Sequence, residues 1–342
     1  MPKETQTLDL AAVERYLTAH LPGFSGPITA EKFQVGQSNP TFLLTTAAGK
    51  YVLRRKPPGV LLKSAHAVDR EFRVQRALAG TDVPVAPVHL LCQDPSVIGS
   101  DFYVMDHVAG RNFNEPTLDG LTVSERRALM DDWNRVLAAL HNVDIDAVGL
   151  GDFGPPGNYF ERQIARWTKQ YAASETSHLP DMDALTAAMA RHLPPDDGQR
   201  TLVHGDYRID NMMFAQAGTD CVAVLDWELS TTGHPYADLA AVLMQWQMPT
   251  GPDTRGLEGV DRAALGLPTD ADFVAAYCAR RGIDGIAHLG FYVAFCFFRM
   301  AAILQGVYRR SLDGNASNPE AGRRAGQMVP MFAAKGMAAL DG

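Results

Sequence analysis

The chain has 342 residues, 46% of them hydrophobic and 20% charged, with a formal net charge of -8. These values fit an ordinary globular protein, long enough for one large domain or two modest ones. They exclude a general nucleic-acid binder, which needs surplus Lys and Arg to neutralise phosphates.

In chain order, the first stretch, MPKETQTLDLAAVERYL, lacks the apolar core of a signal peptide. It predicts an amphipathic helix and a cytoplasmic protein. Strands are predicted at 33–36, 41–46 and 51–55, the last two joined by the tight Ala47-Ala48-Gly49 turn. From Ser64 to Leu78 the pattern turns helical, with Val68, Phe72 and Leu78 on one face and Gly80 as the stop. VHLLCQ and DFYVMD then add two strands. After Gly110 helices dominate, at 124–141, 158–173, 181–192, 236–247, 270–281 and 286–311; only 202–226 interrupts them with short strands. A β-rich small lobe (1–106), a short DHVAGR connection and a helical large lobe (107–342) describe an α+β, bilobal, protein-kinase-like fold. Cys92, Cys221, Cys278 and Cys296 show no metal-ligand spacing and read as buried small hydrophobes in a reducing compartment.

The uninterrupted apolar run Leu289 to Phe298 is about half of the roughly 20 residues a membrane span needs, and Arg299 closes it. A buried core helix and no membrane partner are expected. Asn315 to Ser317 matches a glycosylation acceptor by pattern only. No feature of the sequence sets the oligomeric state.

The densest polar stretch is LVHGDYRIDNMMF, residues 202–214. Asp and Asn are common turn formers for local hydrogen-bonding reasons. Here, however, Asp206 and Asn211 have the spacing of a kinase catalytic loop, HGD-YRID-N where protein kinases show HRD-xxxx-N. Asp226 follows the apolar VAVL and is placed to chelate magnesium from a strand end. Phosphoryl transfer asks for this kind of positioning and charge neutralisation. His204 reads as a structural brace of the loop.

The amino-terminal half supplies the nucleotide side. The turn from Gly36 through Gln37, Ser38 and Asn39 can offer backbone N–H groups to phosphates, although it matches neither GxxxxGK[ST] nor GxGxxG. Strand alternation in YVLR puts Val52 and Arg54 on one face, with Leu53 and Arg55 on the other. Val52 is expected against the adenine. Arg54 takes the place of the usual phosphate-binding Lys, with Glu71 as its ion-pair partner; arginine can hold phosphate bidentately but is no equivalent of lysine.

At this point the chain resembles the aminoglycoside phosphotransferase or choline kinase-like enzymes. Within them it is most similar to the kinase-like region that some proteins carry ahead of an acyl-CoA dehydrogenase domain. VGQSNPTFLL, YVLRRKPPG, VDREFRVQRAL, FYVMDHVAGR, LVHGDYRIDNMMF, AVLDWELSTTGHPYADLA and FFRMAAILQGVYRR carry the resemblance over most of 33–318. No dehydrogenase region is expected in this chain. The resemblance implies Asp206 as catalytic base, Asn211 and Asp226 as Mg2+ ligands, Arg54 on the ATP phosphates with Glu71 behind it, and Met105, Asp106 and Val108 at the adenine. It also implies that Asp238 holds the catalytic loop. His234, where the family pattern GDPxADLA has Asp, is a departure that touches a local loop contact.

The expected partner is a small-molecule hydroxyl acceptor. Arg55, Lys56 and Lys63 around the PPG turn, with Arg299 and Arg309 on the late helix, favour an anionic one, and the resemblance to the dehydrogenase-linked kinase-like regions implies a hydroxyacyl-CoA; Arg208 and Glu228 are further substrate-side candidates. Alternative acceptors are an aminoglycoside, a macrolide or an amino alcohol. The alternative of another class is a catalytically silent, nucleotide-binding kinase-like module, against which the intact Asp206, Asn211 and Asp226 speak.

Overall fold

The computed structural model describes residues 8–33, 39–57, 67–315 and 318–341. Five strands, β1 (Thr29–Lys32), β2 (Thr41–Thr45), β3 (Lys50–Arg55), β4 (Val88–Cys92) and β5 (Phe102–Asp106), form an antiparallel sheet in the order β1-β2-β3-β5-β4. Two short antiparallel pairs complete the strands: β6 (Thr201–Val203) with β9 (Thr231–Gly233), and β7 (Met212–Phe214) with β8 (Cys221–Val224).

Alternation along the strands gives the five-stranded sheet two apolar faces. Phe42, Leu44, Leu53, Phe102 and Val104 pack with Val13 and Leu17 of α1 (Leu10–His20), whose first turn is capped by Asp9. Tyr103 packs with Val68 and Phe72 of α2 (Val68–Leu78) on the other. The short α3 (Pro95–Ile98) links β4 to β5. A strand at 29–32 precedes the expected one; it pairs Lys32 with Phe42, and the Phe33 N–H donates to the Thr41 carbonyl at 3.0 Å. Expected strand residues 34–36 and expected helix residues 64–66 lie outside the described residues.

The chain divides into two compact units. The first holds the described residues up to Phe113 together with Asp146–Leu150 and Ile209–Ser230; the second holds Asn114–Ile145, Gly151–Arg208 and the residues from Thr231 on. A division at Asp106/His107 was expected from composition. Backbone bonding accounts for the difference: Arg111 and Phe214 exchange N–H···O bonds of 2.7 and 2.8 Å, and the Val224 N–H donates to Pro84 O at 2.8 Å. The DHVAGR segment and the β7–β8 hairpin therefore belong to the first unit.

The second unit is helical: α4 (Val123–Asn142), α5 (Tyr159–Ser174), α6 (Pro180–Arg191), α7 (Tyr236–Trp246), α8 (Arg262–Leu265), α9 (Asp270–Arg281), α10 (Leu289–Leu312) and α11 (Pro319–Asp341). Thr122 and Glu125 cap α4 reciprocally, and Thr269 and Asp272 do the same for α9. Helix α10 is long and apolar enough to cross a membrane by composition, yet 67% of its most apolar window is buried inside the protein. It packs most extensively against α11, a helix that the sequence conceals behind Pro330 and several glycines. The close approach uses glycines on both helices: a Cβ on Gly326 of α11 would meet the Tyr308 ring, and one on Gly290 of α10 the Ala339 carbonyl.

Candidate active site

In the first unit the predicted residues meet at Arg54. Its Nε lies 2.7 Å from Glu71 Oε2, its Nη2 lies 2.7 Å from Asp226 Oδ1, and Glu228 Oε2 stands 3.6 Å from the same nitrogen. The Glu71 side chain is 1% exposed, against 35% for Asp226. The fork geometry of a guanidinium allows one side chain to serve both carboxylates. Burial works against the Arg54 charge, but Glu71 foremost, then Tyr103, Asp226 and Glu228, raise its pKa above the usual arginine value. Burial likewise pushes the Glu71 carboxyl up, while Arg54 and a hydrogen bond from Asn39 pull it back.

Asp226 follows β8 by two residues and lies in the left-handed region, at φ 61 and ψ 62. Asp tolerates this conformation better than most residues, at a modest cost. The preceding Leu225 donates its N–H to the Asn211 carbonyl at 2.8 Å, so the backbones of the two predicted metal ligands are tied together. Asn112 braces the same turn, its Nδ2 donating to Asp210 O at 2.7 Å and Met212 O at 2.9 Å. Among the described residues no three His, Cys, Asp or Glu side chains cluster as a metal cage. Asp226, Glu228 and Asn211 offer hard oxygen donors. A magnesium ion that takes its other ligands from water and phosphate needs no more than one or two protein carboxylates.

The remaining nucleotide-side candidates are placed as follows. Val52 is buried on β3 and pairs in register with Met105, and Tyr51 with Asp106. The Asp106 carboxylate is engaged by His89 Nε2 at 2.7 Å. Val108 follows β5, half-buried. Asn39, expected on the phosphate turn, is buried and donates Nδ2 to Glu71 Oε1 at 2.7 Å, so its amide braces Glu71. Gly36, Gln37 and Ser38 lie outside the described residues, as does Lys63.

In the second unit, Asp206 sits on a turn held from behind by buried Asp238. Asp238 Oδ2 accepts the His204 N–H at 2.6 Å and Oδ1 the Gly205 N–H at 2.8 Å. A carboxylate only accepts, so His141 Nε2, 3.4 Å from Asp238, carries the proton, and His141 Nδ1 accepts from the Tyr277 hydroxyl at 2.8 Å. Burial holds the His141 pKa low. Burial opposes the Asp238 charge, but His141, His204 and the Gly205 N–H prevail and lower its pKa. His204 Nδ1 accepts the Asp206 N–H at 3.2 Å, the bracing role expected of it. Arg208 Nε lies 3.5 Å from Asp206 Oδ1. Asp206, Arg208 and Arg299 line one cavity of about 150 Å³ together with apolar side chains that include Met244, Met300 and Phe332.

Three basic candidates fall elsewhere. Arg309 is paired with Asp313 at 3.1 Å on the last turn of α10 and does not line that cavity. Arg55 is buried over the Phe42 ring, as its place on the Leu53 face of β3 dictates. Lys56 is held by Asp101 at 2.6 Å. The expectation that Arg55 and Lys56 offer unpaired charge to an anionic acceptor is corrected accordingly. His234, the departure from the family pattern, stacks on Tyr292 and lies 3.2 Å from Asp197.

Sequence reasoning missed Tyr103, Gln75, Asn112, Trp167 and His141. Tyr103 is 1% exposed, its hydroxyl donates to Glu71 Oε2 at 3.2 Å and it receives Gln75 Nε2 at 3.1 Å. Strand alternation could have put Tyr103 on the Arg54 side of the sheet, since the two are register partners; that it reaches Glu71 depends on how α2 packs.

A family model described as "Phosphotransferase enzyme family" matches residues 29–285. The chain belongs to this phosphotransferase family. It is 44% identical over 333 residues to mouse acyl-CoA dehydrogenase family member 10, covering 97% of this chain and 31% of that protein. The chain thus spans about a third of that relative's length. A crystal structure from Ralstonia eutropha, provisionally described as an aminoglycoside phosphotransferase, is 46% identical with a TM-score of 0.91, covering 98% of this chain and 99% of that one. Spectinomycin phosphotransferase in complex with ADP and spectinomycin has a TM-score of 0.64 at 11% identity, covering 97% and 98% of the two chains, a likeness of fold alone. The protein-kinase-like fold expected from the order of elements, α+β and bilobal, is the fold found.

Proposed function

We propose that the chain is an ATP- and Mg2+-dependent phosphotransferase that phosphorylates a hydroxyl group of a small molecule, with a hydroxyacyl thioester such as a hydroxyacyl-CoA as the acceptor. The observation that carries this reading is the Arg54 hub, in which one guanidinium joins the buried Glu71 to Asp226 just after β8. A silent module has no need of a buried ion pair aimed at a second, half-exposed carboxylate.

In this reading Arg54 holds the nucleotide phosphates, and Asn211 and Asp226 hold the metal. When bound, Mg2+ would neutralise charge on the transferring phosphates. Asp206 orients the acceptor hydroxyl and takes its proton as the acceptor oxygen forms its bond to the γ-phosphorus. The bond from that phosphorus to the β–γ bridging oxygen breaks, and ADP leaves with the electron pair. Asp238 keeps the Asp206 turn in place throughout.

Support for the acceptor is the cavity beside Asp206, where flexible Met side chains suit an apolar chain. The relatives named as acyl-CoA dehydrogenases point to the same class of molecule. A polycation would call for clustered carboxylates, and the cavity lining carries Asp206 and Asp253 beside Arg208 and Arg299.

The test is ADP release with product detection, using purified protein, ATP and Mg2+ against hydroxyacyl-CoAs, aminoglycosides, macrolides and amino alcohols. Acceptor-dependent ADP release with hydroxyacyl-CoAs is expected. Efficient phosphorylation of an antibiotic with none of a hydroxyacyl-CoA would overturn the acceptor assignment. Nucleotide binding without transfer to any acceptor would favour the silent module.

A further inference from the structure

Arg299 is the one arginine lining the cavity beside Asp206 that has no carboxylate partner among the described residues. Arg208, on the same cavity, lies 3.5 Å from Asp206. The Arg299 guanidinium instead sits over the Trp167 ring, its carbon 5.9 Å from the centroid, and Nη2 donates to the Gly205 carbonyl at 2.9 Å. Stacking uses the face of the guanidinium and leaves its in-plane donors alone. A guanidinium has five N–H donors, and one carbonyl does not exhaust them. The donors that Gly205 leaves over can meet an oxygen brought into the cavity, where Met244, Met300 and Phe332 supply apolar surroundings.

The contact with Gly205 adds a second consequence. The Gly205 N–H is already fixed by Asp238, so Gly205, the residue before Asp206, is pinned through its nitrogen by one side chain and through its carbonyl oxygen by another. An acceptor oxygen bound to Arg299 would therefore be referenced, through one residue of backbone, to the carboxylate that addresses the acceptor hydroxyl.

Building on the phosphotransferase reading, we infer that Arg299 determines acceptor specificity by holding a carbonyl or carboxylate oxygen of the acceptor, while the apolar remainder lies along Met244, Met300 and Phe332. The ligand class is a hydroxylated acid or acyl derivative. Arg299 also repels a polycation at the point where the hydroxyl must approach Asp206.

The experiment compares wild type, Arg299→Met and Arg299→Lys on three acceptors of one chain length: a hydroxyacyl-CoA, the free hydroxy acid and a diol without the carbonyl. Loss of the charged hydrogen bond should raise the acceptor KM of Arg299→Met about 10- to 100-fold for whichever acyl or acid acceptor wild type prefers. The diol KM should barely move, and the nucleotide affinity measured by calorimetry should stay within about 2-fold. Loss of the Gly205 contact should lower kcat for all three acceptors alike, and Arg299→Lys should restore part of the preference. A merely structural Arg299 would move the three KM values together, and that outcome overturns the inference, as does a wild type that does not prefer the acyl or acid acceptor over the diol. If wild type binds nucleotide but transfers to none of the three, the transfer reading fails, and equilibrium binding of the same ligands decides on Arg299: an acyl or acid preference lost in Arg299→Met upholds it, and no such preference refutes it. Should Arg299→Met not fold, Arg299→Lys against wild type carries the same comparison.

Discussion

Tyr103 of β5 stands opposite Arg54 of β3, and its hydroxyl donates to the same Glu71 oxygen that Arg54 Nε approaches. Glu71 thus has Asn39 on one oxygen and Arg54 with Tyr103 on the other, so two neutral donors fix the carboxylate that faces Arg54. Tyr103→Phe should cost about 1–3 kcal/mol of stability through the buried partners it leaves, and weaken nucleotide binding about 10-fold. Thermal melting and calorimetry measure the two effects. Unchanged nucleotide affinity would show that Glu71 holds Arg54 without help.

Arg54→Lys separates the fork from the charge. A single ammonium cannot reproduce the pair of contacts that Nε and Nη2 make with Glu71 and Asp226, each at 2.7 Å. Weaker nucleotide binding is expected despite the retained charge, with little loss in a Glu71→Gln background, where there is no pair left to bridge. Equal losses in both backgrounds would mean that the fork is irrelevant.

Much of this architecture was legible because the chemistry demands local spacing. Asp206, Asn211 and Asp226 lie in one short stretch of sequence, and Arg54 with Val52 is set by strand alternation. Arg55 and Lys56 misled because composition counts charges but not their partners: Asp101, which neutralises Lys56, arrives from the start of β5. Helix α11 was hidden because Pro330 and the glycines read as breakers, whereas close packing on α10 is what the glycines permit. Tyr103 and His141 depend on contacts across β5–α2 and α4–α7, which no periodicity reports.

Asp206→Asn tests the proton acceptor. The amide keeps the shape but cannot take the hydroxyl proton, and general-base effects are worth about 10²–10⁴ in rate. Turnover should fall by that factor, with nucleotide affinity unchanged because the amide keeps the size of the carboxylate and Asp206 is not among the residues assigned to the nucleotide. Near-normal turnover would remove Asp206 from the mechanism.

Stability should fall as pH drops, in two stages. The His141 pKa is below its unfolded value of about 6.5, so below that pH the unfolded chain binds a proton that the folded chain refuses, and stability declines. Asp238 is also depressed, so its contribution is complete above about 3.9 and is lost as pH falls through its folded value. His141→Gln should flatten the first stage while Asp238→Asn removes the second and costs about 3–5 kcal/mol at neutral pH. Denaturant melts from about pH 2 to about pH 8, a range that spans both windows, give the slopes, and an unchanged first stage in His141→Gln would assign it to another histidine.

Asp226 carries the sharpest test of the metal assignment because its backbone and its side chain make separable contributions. It is a non-glycine residue at φ 61, so Asp226→Ala adds strain of about 1–2 kcal/mol besides removing the carboxylate, whereas Asp226→Asn keeps a side chain that tolerates this region. Both variants lose a charged metal ligand, and both release Arg54 from its 2.7 Å contact. Wild type should bind nucleotide more tightly with Mg2+ than without. In both variants that difference should shrink, since the carboxylate that would hold the ion to the protein is gone. Binding without metal should persist or rise slightly, because Arg54 then has one competitor fewer. Melting temperature tells strain from metal loss: Asp226→Asn should melt close to wild type while showing the same diminished Mg2+ effect as Asp226→Ala. A Mg2+ effect that survives undiminished in Asp226→Asn would move the metal to Glu228 and Asn211 and leave Asp226 as the partner of Arg54.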